Sequence, residues 1–250
     1  YCLMGSEMCI RDRHLPYKMP TRAWSLSQNW VNLTFMHWEV EHHLLEKYIP
    51  EDLELEKFNG KTYVGTIPFR MENIRPRFLP SVPLISNFPE FNIRTYVSKN
   101  GISGVLFLTL DAESRITSMY APWAYGLPYV FAKGEVKENI EGGFSWYSKR
   151  KSNGIGIKGE SKPNGPLRKA KKDSIEEFLF ERYSLYVTYK NRTHIAYTCH
   201  EPWEFQDATA RIEKNSLTEF YNLGISDLLE PDLVHVSKGV QVKTWSVEVV

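Results

Sequence analysis

The chain has 250 residues, of which 42% are hydrophobic and 24% are charged, so it is long enough to bury the core of one large β-rich domain or two small ones. No apolar run approaches the roughly 20 residues that a membrane-spanning helix needs, which argues against an integral membrane protein. The formal net charge of +1 excludes a general attraction to nucleic acid or to an anionic membrane, and leaves room only for a local one.

The beginning of the chain is interpreted separately from the rest. Residues 1–13 contain Met8-Cys9-Ile10-Arg11-Asp12-Arg13, which reads as the translated end of a sequencing-library adaptor rather than as a secretory signal. Residues 14–28 form a polar lead-in, and residues 29–250 are expected to form a single domain.

Cysteine usage indicates the compartment. Cys2 and Cys9 fall in the adaptor-like residues 1–13, which are not expected to be native, and Cys199 is the one cysteine outside them. One cysteine cannot form an intramolecular disulfide, so a reducing compartment, and by default the cytoplasm, is expected. The adjacent pair Cys199-His200 lacks the context that a low-pKa nucleophile needs, and a buried structural cysteine is the better interpretation.

Hydrophobic periodicity predicts a chain dominated by strands. The predicted strands are 33–40, 53–58, 61–69, 90–98, 103–110, 129–140, 143–149, 154–160, 183–190, 193–200, 203–212, 233–236 and 240–249. The predicted helices are 42–48, 112–123 with Asp111 as its cap, one that opens over 173–178, and 216–223. This pattern favours an α+β fold.

Two dipeptides are strong hairpin signals, because both of their residues tolerate positive φ. Asn59-Gly60 predicts a hairpin between the strands at 53–58 and 61–69, and Asn100-Gly101 predicts another between 90–98 and 103–110. Residues 72–89 contain four prolines, which is too many for regular structure, and are predicted to form a long surface loop.

Residues 90–97 are the most informative stretch of the chain. If they are extended, Glu90, Asn92, Arg94 and Tyr96 share one face, since side chains alternate along a strand. One interpretation is that this polar stripe lines a pocket. The other is an ordinary half-buried strand whose polar face meets water.

Gly154-Ile155-Gly156-Ile157-Lys158-Gly159 matches the dinucleotide-binding fingerprint in letters only. The fingerprint requires a strand that passes into a helix aimed at a pyrophosphate, and no helix signal follows here. A glycine-rich hairpin is predicted instead, and no cofactor is expected.

The segment from Lys149 to Lys172 holds nine basic residues and one acidic residue, a local charge of +8. It lacks the interleaved aromatic residues of single-strand binders and the register of a recognition helix. A solvated surface excursion is the favoured interpretation, and contact with an acidic partner or nucleic acid is the other. The seven histidines show no metal-site spacing such as HExxH, so no structural metal is predicted.

Several short motifs occur together in a fixed order. They are Pro68-Phe69-Arg70-Met71, Phe88-Pro89-Glu90-Phe91-Asn92-Ile93-Arg94-Thr95-Tyr96-Val97, Leu110-Asp111-Ala112, Leu127-Pro128-Tyr129, Glu181-Arg182-Tyr183 and His200-Glu201-Pro202-Trp203. In these motifs the chain resembles the YqjF-like family, domain of unknown function 2071, which is grouped with the acetoacetate-decarboxylase-like superfamily. The resemblance implies a closed or cone-like, mostly antiparallel β structure with a few flanking helices and a small-molecule cavity inside.

Acetoacetate decarboxylases use a lysine that forms a Schiff base, with a pKa lowered by a second, adjacent lysine. The matching segment here is Gly126-Leu127-Pro128-Tyr129-Val130, so Tyr129 and Val130 stand where the paired lysines are expected. Lys133 shares the strand face of Tyr129 but lies roughly 13 Å farther along the strand. The usual decarboxylase mechanism is therefore not expected.

The resemblance and the polar stripe together select candidate site residues. The ligand-binding candidates are Arg70, Glu90, Asn92, Arg94 and Tyr129, and the catalytic candidates are Glu90, Tyr129 and Lys133. Arg94 can hold a carboxylate through paired charge-assisted hydrogen bonds. Alternatively, Glu90 and Arg94 pair with each other and have only a structural role.

Three hypotheses follow. The first is a cytoplasmic protein that binds a small organic acid or carbonyl compound in a β-enclosed pocket. The second is an enzyme that acts on a keto acid without the usual lysine pair. The third is a structural or interaction protein that uses the basic segment 149–172.

Overall fold

The computed structural model describes residues 14–190 and 192–250, and most of them are in strands. The strands are β1 (Leu26–Val40), β2 (Glu54–Leu55), β3 (Thr62–Pro76), β4 (Phe88–Lys99), β5 (Ile102–Ala112), β6 (Tyr129–Glu138), β7 (Phe144–Arg150), β8 (Gly156–Pro163), β9 (Ser184–Tyr189), β10 (Arg192–Cys199), β11 (Gln206–Asn215), β12 (Leu233–Thr244) and β13 (Glu248–Val249). The helices are α1 (His42–Glu46), α2 (Pro83–Ser86), α3 (Arg115–Tyr125), α4 (Ile175–Phe180) and α5 (Ser216–Glu219).

Nine strands close into a barrel. Their order is β5-β6-β7-β8-β11-β12-β1-β3-β4, and the pairing of β4 with β5 completes the ring. The pairs are antiparallel, except that β5 runs parallel to both β6 and β9. The predicted α+β class and the closed, mostly antiparallel architecture with short flanking helices are confirmed. No helix in the described ranges is both long enough and apolar enough to cross a membrane.

Strand β5 divides between two neighbours at a bulge. Ile93 of β4 pairs with Thr109 and Arg94 pairs with Phe107, so Leu108 is the extra residue. Residues 105–106, before the bulge, pair with β9, and residues 110–112, after it, pair with β6. Strand β12 divides in the same way between β11 and β10. Strands β9 and β10 therefore form a second link between β5 and β12, in addition to the link through β6, β7, β8 and β11, and it leaves β5 beside the bulge.

The predicted Asn59-Gly60 turn is present, but its strand pairing was wrong. Both residues have positive φ, 49° and 82°, and Phe58 and Lys61 exchange backbone hydrogen bonds across the turn. The preceding strand β2, however, pairs with β4 rather than with β3. Local turn chemistry indicates the reversal of the chain and carries no information about which strand lies next to β2.

Other boundaries also differ from the predictions. Asp111 does not cap a helix, because it lies within β5, while α3 begins at Arg115 and is capped by Ser114, whose hydroxyl accepts from the Thr117 amide. Residues 72–76 continue β3, so the predicted loop at 72–89 is shorter. The predicted strands 233–236 and 240–249 are joined in β12, which ends at Thr244, and residues 248–249 form the separate strand β13. Pairing with β1 keeps residues 72–76 and residues 237–240 extended.

The glycine-rich segment forms the predicted hairpin between β7 and β8. Gly154 adopts φ +74°, and a Cβ added at Gly156 would lie 1.9 Å from the carbonyl oxygen of Ser148. The positive φ of the turn therefore favours glycine at position 154, and the close approach of β7 requires it at position 156.

The β4–β5 turn gives a direct test of turn chemistry. Asn100 and Gly101 have φ 53° and 76°, and open space surrounds Gly101. Gly101→Ala should lower the free energy of unfolding by about 1 kcal/mol, because only the backbone conformation is penalised. Urea denaturation measures this change in the free energy of unfolding. The control is Asn100→Gly, which tolerates the same φ and should change the free energy of unfolding by less than about half as much. Equal losses in both variants would contradict the turn assignment.

Candidate functional site

A small cavity lies between strands β1, β3, β4 and β5 of the barrel and strands β9 and β10, which cover them, and we call it the β4 cavity. Its volume is about 40 Å³, which admits a few water molecules or a small ligand. Most of its wall is apolar and includes Trp30, Phe35, Phe69, Phe107, Phe180 and Trp203. Its polar lining residues are Glu90, Asn92, Arg94, Arg182, Ser184, Thr198 and His200.

The polar stripe of β4 lines this cavity. Glu90, Asn92 and Arg94 all reach it, and Phe69, which is paired with Glu90 across the β3–β4 ladder, forms the adjacent apolar wall. Tyr96, the fourth member of the stripe, is fully buried and forms a hydrogen bond of 2.7 Å with Nε2 of His37. The predicted common face is confirmed, and the interpretation of a solvated polar face is wrong.

Glu90 is the acidic group of the cavity. It is 2% exposed, and the Tyr129 hydroxyl donates to its Oε2 at 2.7 Å. Burial raises the pKa of Glu90 to about 7, although hydrogen bonds from Tyr129 and Asn92 oppose the rise and the nearby Asp111 adds to it. Glu90 therefore exchanges a proton near neutral pH, as a general acid or base requires.

Arg94 is a buried cation without an acidic partner in the described ranges. It is 8% exposed, and its Nη2 donates to the carbonyl oxygen of Leu179 at 2.9 Å. Its Nε is buried and has no hydrogen-bond acceptor among the described atoms, and no described carboxylate lies within 4.0 Å. The alternative interpretation, a Glu90–Arg94 ion pair, is therefore not observed.

The C-terminal end of α4 holds two arginines. The carbonyl oxygen of Leu179 accepts a hydrogen bond from Arg94, and the carbonyl oxygen of Phe178 accepts one from Nε of Arg182 at 2.6 Å. Carbonyl groups at a helix end have no partner inside the helix, so they are natural acceptors for cations. Arg182 also forms an ion pair with Glu56, whereas Arg94 forms none with any acidic residue that the structure describes.

Sequence reasoning did not assign the lining residues Arg182, Ser184 and His200 to a site. Burial lowers the pKa of His200 to about 4, so its imidazole is neutral in the cavity wall. The motifs Glu181-Arg182-Tyr183 and His200-Glu201-Pro202-Trp203 were the available signal. Their position in the cavity depends on the pairing of β9 with β5, which no local pattern indicates.

Two predicted site residues lie elsewhere. Arg70 points away from the cavity and pairs with Glu72, Nε to Oε1, at 3.1 Å. Lys133 is exposed on β6 and does not line the cavity. Tyr129 contributes only through its hydrogen bond to Glu90. Within the described lining no lysine is present, so the structure gives no support to Schiff-base chemistry at the β4 cavity.

One group of potential metal ligands does come together. Donor atoms of Glu176, Asp207 and His235 lie within 4.8 Å of one another. Nη2 of Arg168, however, is hydrogen-bonded to both carboxylates, at 2.7 Å and 2.6 Å. A metal ion would have to displace this guanidinium, so we interpret the cluster as an ion-pair network. The other singled-out side chain, Cys199, is half-buried on β10.

The basic segment 149–172 is partly neutralised by the fold. Five of its nine cations form ion pairs with acidic residues. These are Arg150 with Asp111, Lys158 with Glu213, Lys162 with Glu141, Arg168 with Glu176 and Asp207, and Lys169 with Glu204. Acidic residues therefore neutralise much of the positive charge of this segment, which makes a continuous phosphate-binding surface less favourable.

The fold is shared with enzymes of known structure. Acetoacetate decarboxylase from Legionella pneumophila subsp. pneumophila strain Philadelphia 1 superposes with a TM-score of 0.61 at 14% identity, covering 96% of this chain and 94% of that chain. The enduracididine biosynthesis enzyme MppR, complexed with pyruvate, superposes with a TM-score of 0.58 at 12% identity, covering 94% of this chain and 93% of that chain. At these identities the likeness shows the fold.

Sequence similarity shows the family. The uncharacterised protein YqjF of Bacillus subtilis strain 168 is 33% identical over 239 residues, which span 95% of this chain and 98% of the relative. The DUF2071 family, described as "Uncharacterized conserved protein", matches residues 27–241. The chain therefore belongs to the DUF2071 family and carries an acetoacetate-decarboxylase-like fold.

Proposed function

We propose that the protein binds a small organic acid or carbonyl compound in the β4 cavity, with Arg94 holding the acid group. The observation that carries this proposal is the buried Arg94 guanidinium, which has no acidic partner in the described part of the chain. Burying a charge without a partner is costly, and an anionic ligand repays that cost. Cys199 is the one cysteine outside residues 1–13, which supports a cytoplasmic site of action.

The geometry favours a small ligand with at least one further polar group. The free Nε of Arg94 offers a hydrogen bond to a carboxylate oxygen. Two residues away on the same face, Oδ1 of Asn92 is buried without a donor among the described atoms, so it suits a hydroxyl or protonated group of the ligand. The cavity volume of about 40 Å³ favours an acid of only a few heavy atoms.

An enzymatic role on a keto acid is the second candidate, and it is supported by the pKa of Glu90, about 7. Glu90 and Tyr129 form a hydrogen-bonded pair that can transfer a proton to or from a bound carbonyl compound. The pyruvate complex of the structural relative MppR supports an oxo acid as a ligand to test. Following a bound acid by NMR separates the two candidates, since a binding protein returns the acid unchanged.

The test of binding is a thermal-shift screen of small carboxylates, keto acids and aldehydes. A ligand at 100 times its dissociation constant should stabilise the protein by roughly 2.7 kcal/mol, which raises Tm by a few degrees for a chain of this size. Arg94→Ala should abolish that shift. Arg70→Ala is the matched control, because it removes an arginine from the opposite face of the neighbouring strand.

The outcomes are distinguishable. Circular dichroism and the Tm without ligand show whether Arg94→Ala is folded, and Arg94→Gln serves as a second variant of closer shape. A ligand shift that survives in both folded Arg94 variants, or that disappears equally in Arg70→Ala, overturns the assignment of Arg94.

A further inference from the structure

Residues 77–86, which connect β3 to β4, form an apolar protrusion that we call the apical loop. The exposed fractions are 86% for Phe78, 56% for Leu79, 49% for Val82 and 39% for Ile85. Isolated apolar residues on a surface are ordinary, but four within eight positions are not. Because Phe78 and Leu79 are adjacent and both strongly exposed, they form a projecting tip rather than the wall of a groove.

Basic and aromatic side chains lie at the base of this tip. The Arg77 guanidinium lies 4.7 Å from the ring centroid of Phe78 and 5.5 Å from that of Trp24. Nζ of Lys243 lies 5.8 Å from the Trp24 ring. Arg75 is exposed, and the strand registers place Arg75 and Lys243 on either side of Ser27.

These cations carry uncompensated charge. Within the part of the chain that the structure describes, neither Arg75 nor Arg77 nor Lys243 forms an ion pair, whereas five of the nine basic side chains of the segment 149–172 do. The whole chain has a net charge of only +1, so this end of the barrel has a local basic character that the total does not reveal.

Helix α3 adds apolar surface at the same end of the barrel. Glu90, near the start of β4, pairs with Ala112, the last residue of β5, so the segments before β4 and after β5 leave the barrel together. On α3, Ile116 is 56% exposed and Met119 is 79% exposed.

We propose that the apical loop and its basic base form a docking surface for an anionic phospholipid membrane. Exposed aromatic and aliphatic side chains enter the interfacial region, while arginine and lysine contact the acidic headgroups. Charge selects this occupant over a second copy of the chain, because a two-fold contact through the tip would bring Arg75, Arg77 and Lys243 against the same residues of the partner.

The test is co-sedimentation of the full chain with vesicles. Phosphatidylcholine vesicles serve as the neutral surface, and vesicles that also contain phosphatidylglycerol serve as the anionic one. We expect binding to the anionic vesicles only, with weakening at high salt. Each neutralised cation, Arg75→Gln or Arg77→Gln, should weaken binding about fivefold. The double variant Phe78→Ser/Leu79→Ser should lose binding.

Ile140→Ser is the matched control, since Ile140 is fully exposed in the turn between β6 and β7, outside the apical loop. It should bind as the unmodified protein does, and circular dichroism should show that all variants are folded. The proposal is overturned by equal binding to neutral vesicles, by no binding to anionic ones, or by loop variants that bind normally. It is also overturned if light scattering shows a dimer that Phe78→Ser/Leu79→Ser dissociates, because the occupant is then a second copy.

Discussion

Replacing Asp111 by alanine should lower the free energy of unfolding by about 3–5 kcal/mol. Asp111 is completely buried and accepts two hydrogen bonds of 2.8 Å from Arg150, one from Nε and one from Nη2. The hydroxyl of Thr109 donates to the same carboxylate at 3.0 Å. In the variant the Arg150 guanidinium stays buried without an acidic partner, and that uncompensated charge accounts for the loss.

Urea denaturation of three variants tests this prediction. Glu213→Ala is the control, because it breaks an ion pair with Lys158 whose side chains are both about half exposed, and it should cost less than about 1 kcal/mol. The double variant Asp111→Leu/Arg150→Met removes both charges and should recover most of the loss. If Asp111→Ala costs no more than Glu213→Ala, the carboxylate and guanidinium do not form a buried pair.

Glu90→Gln should be more stable than the unmodified protein at pH 8, by about 3 kcal/mol, and equal to it near pH 4. The folded-state pKa of Glu90, about 7, lies above the ordinary 4.5 because of burial. The folded protein therefore binds this proton more tightly, and the resulting stabilisation is complete below pH 4.5 and is lost as the pH rises through 7. The difference between the two pKa values sets the size of the effect. Glutamine is neutral throughout and escapes the loss.

The measurement is the difference in unfolding free energy between the two proteins from pH 4 to pH 8. The buried histidines titrate in both proteins and cancel in this difference. Glu39→Gln is the control, since Glu39 lies exposed on β1 and its difference should stay flat within about 1 kcal/mol. A flat difference for Glu90→Gln would mean that Glu90 remains ionised in the folded protein at neutral pH.

The sequence predicted most strands and the polar face of β4, because alternation is a local property. It failed where a segment depends on a distant partner. Asp111 resembles a helix cap by its position before Ala112, Glu113 and Ser114, yet Arg150 on β7 draws it into the barrel wall. Residues 26–32 lack a strand pattern, yet β12 and β3 pair with them from both sides.

The candidate site shows the same difference between residues placed by local alternation and residues placed by distant strand pairing. Glu90, Asn92 and Arg94 could be placed together from one strand, and the structure brings them to one cavity. Arg182, Ser184 and His200 could not, because they reach it only when β9 joins β5 beside the Leu108 bulge. Arg70 was selected as a member of the motif Pro68-Phe69-Arg70-Met71, and strand alternation places it on the face of β3 opposite to Phe69.

Closure of the barrel through β1 and β12 has a consequence for the order of folding. Leu26 pairs with Thr244, so the first strand of the ring finds one of its neighbours only when nearly the whole chain is present. During synthesis β1 must therefore wait as an unpaired edge, and such contacts between distant segments form slowly because of the loop entropy they cost. An unpaired edge strand is a site of aggregation, so nascent chains that stop before residue 233 should depend on chaperones.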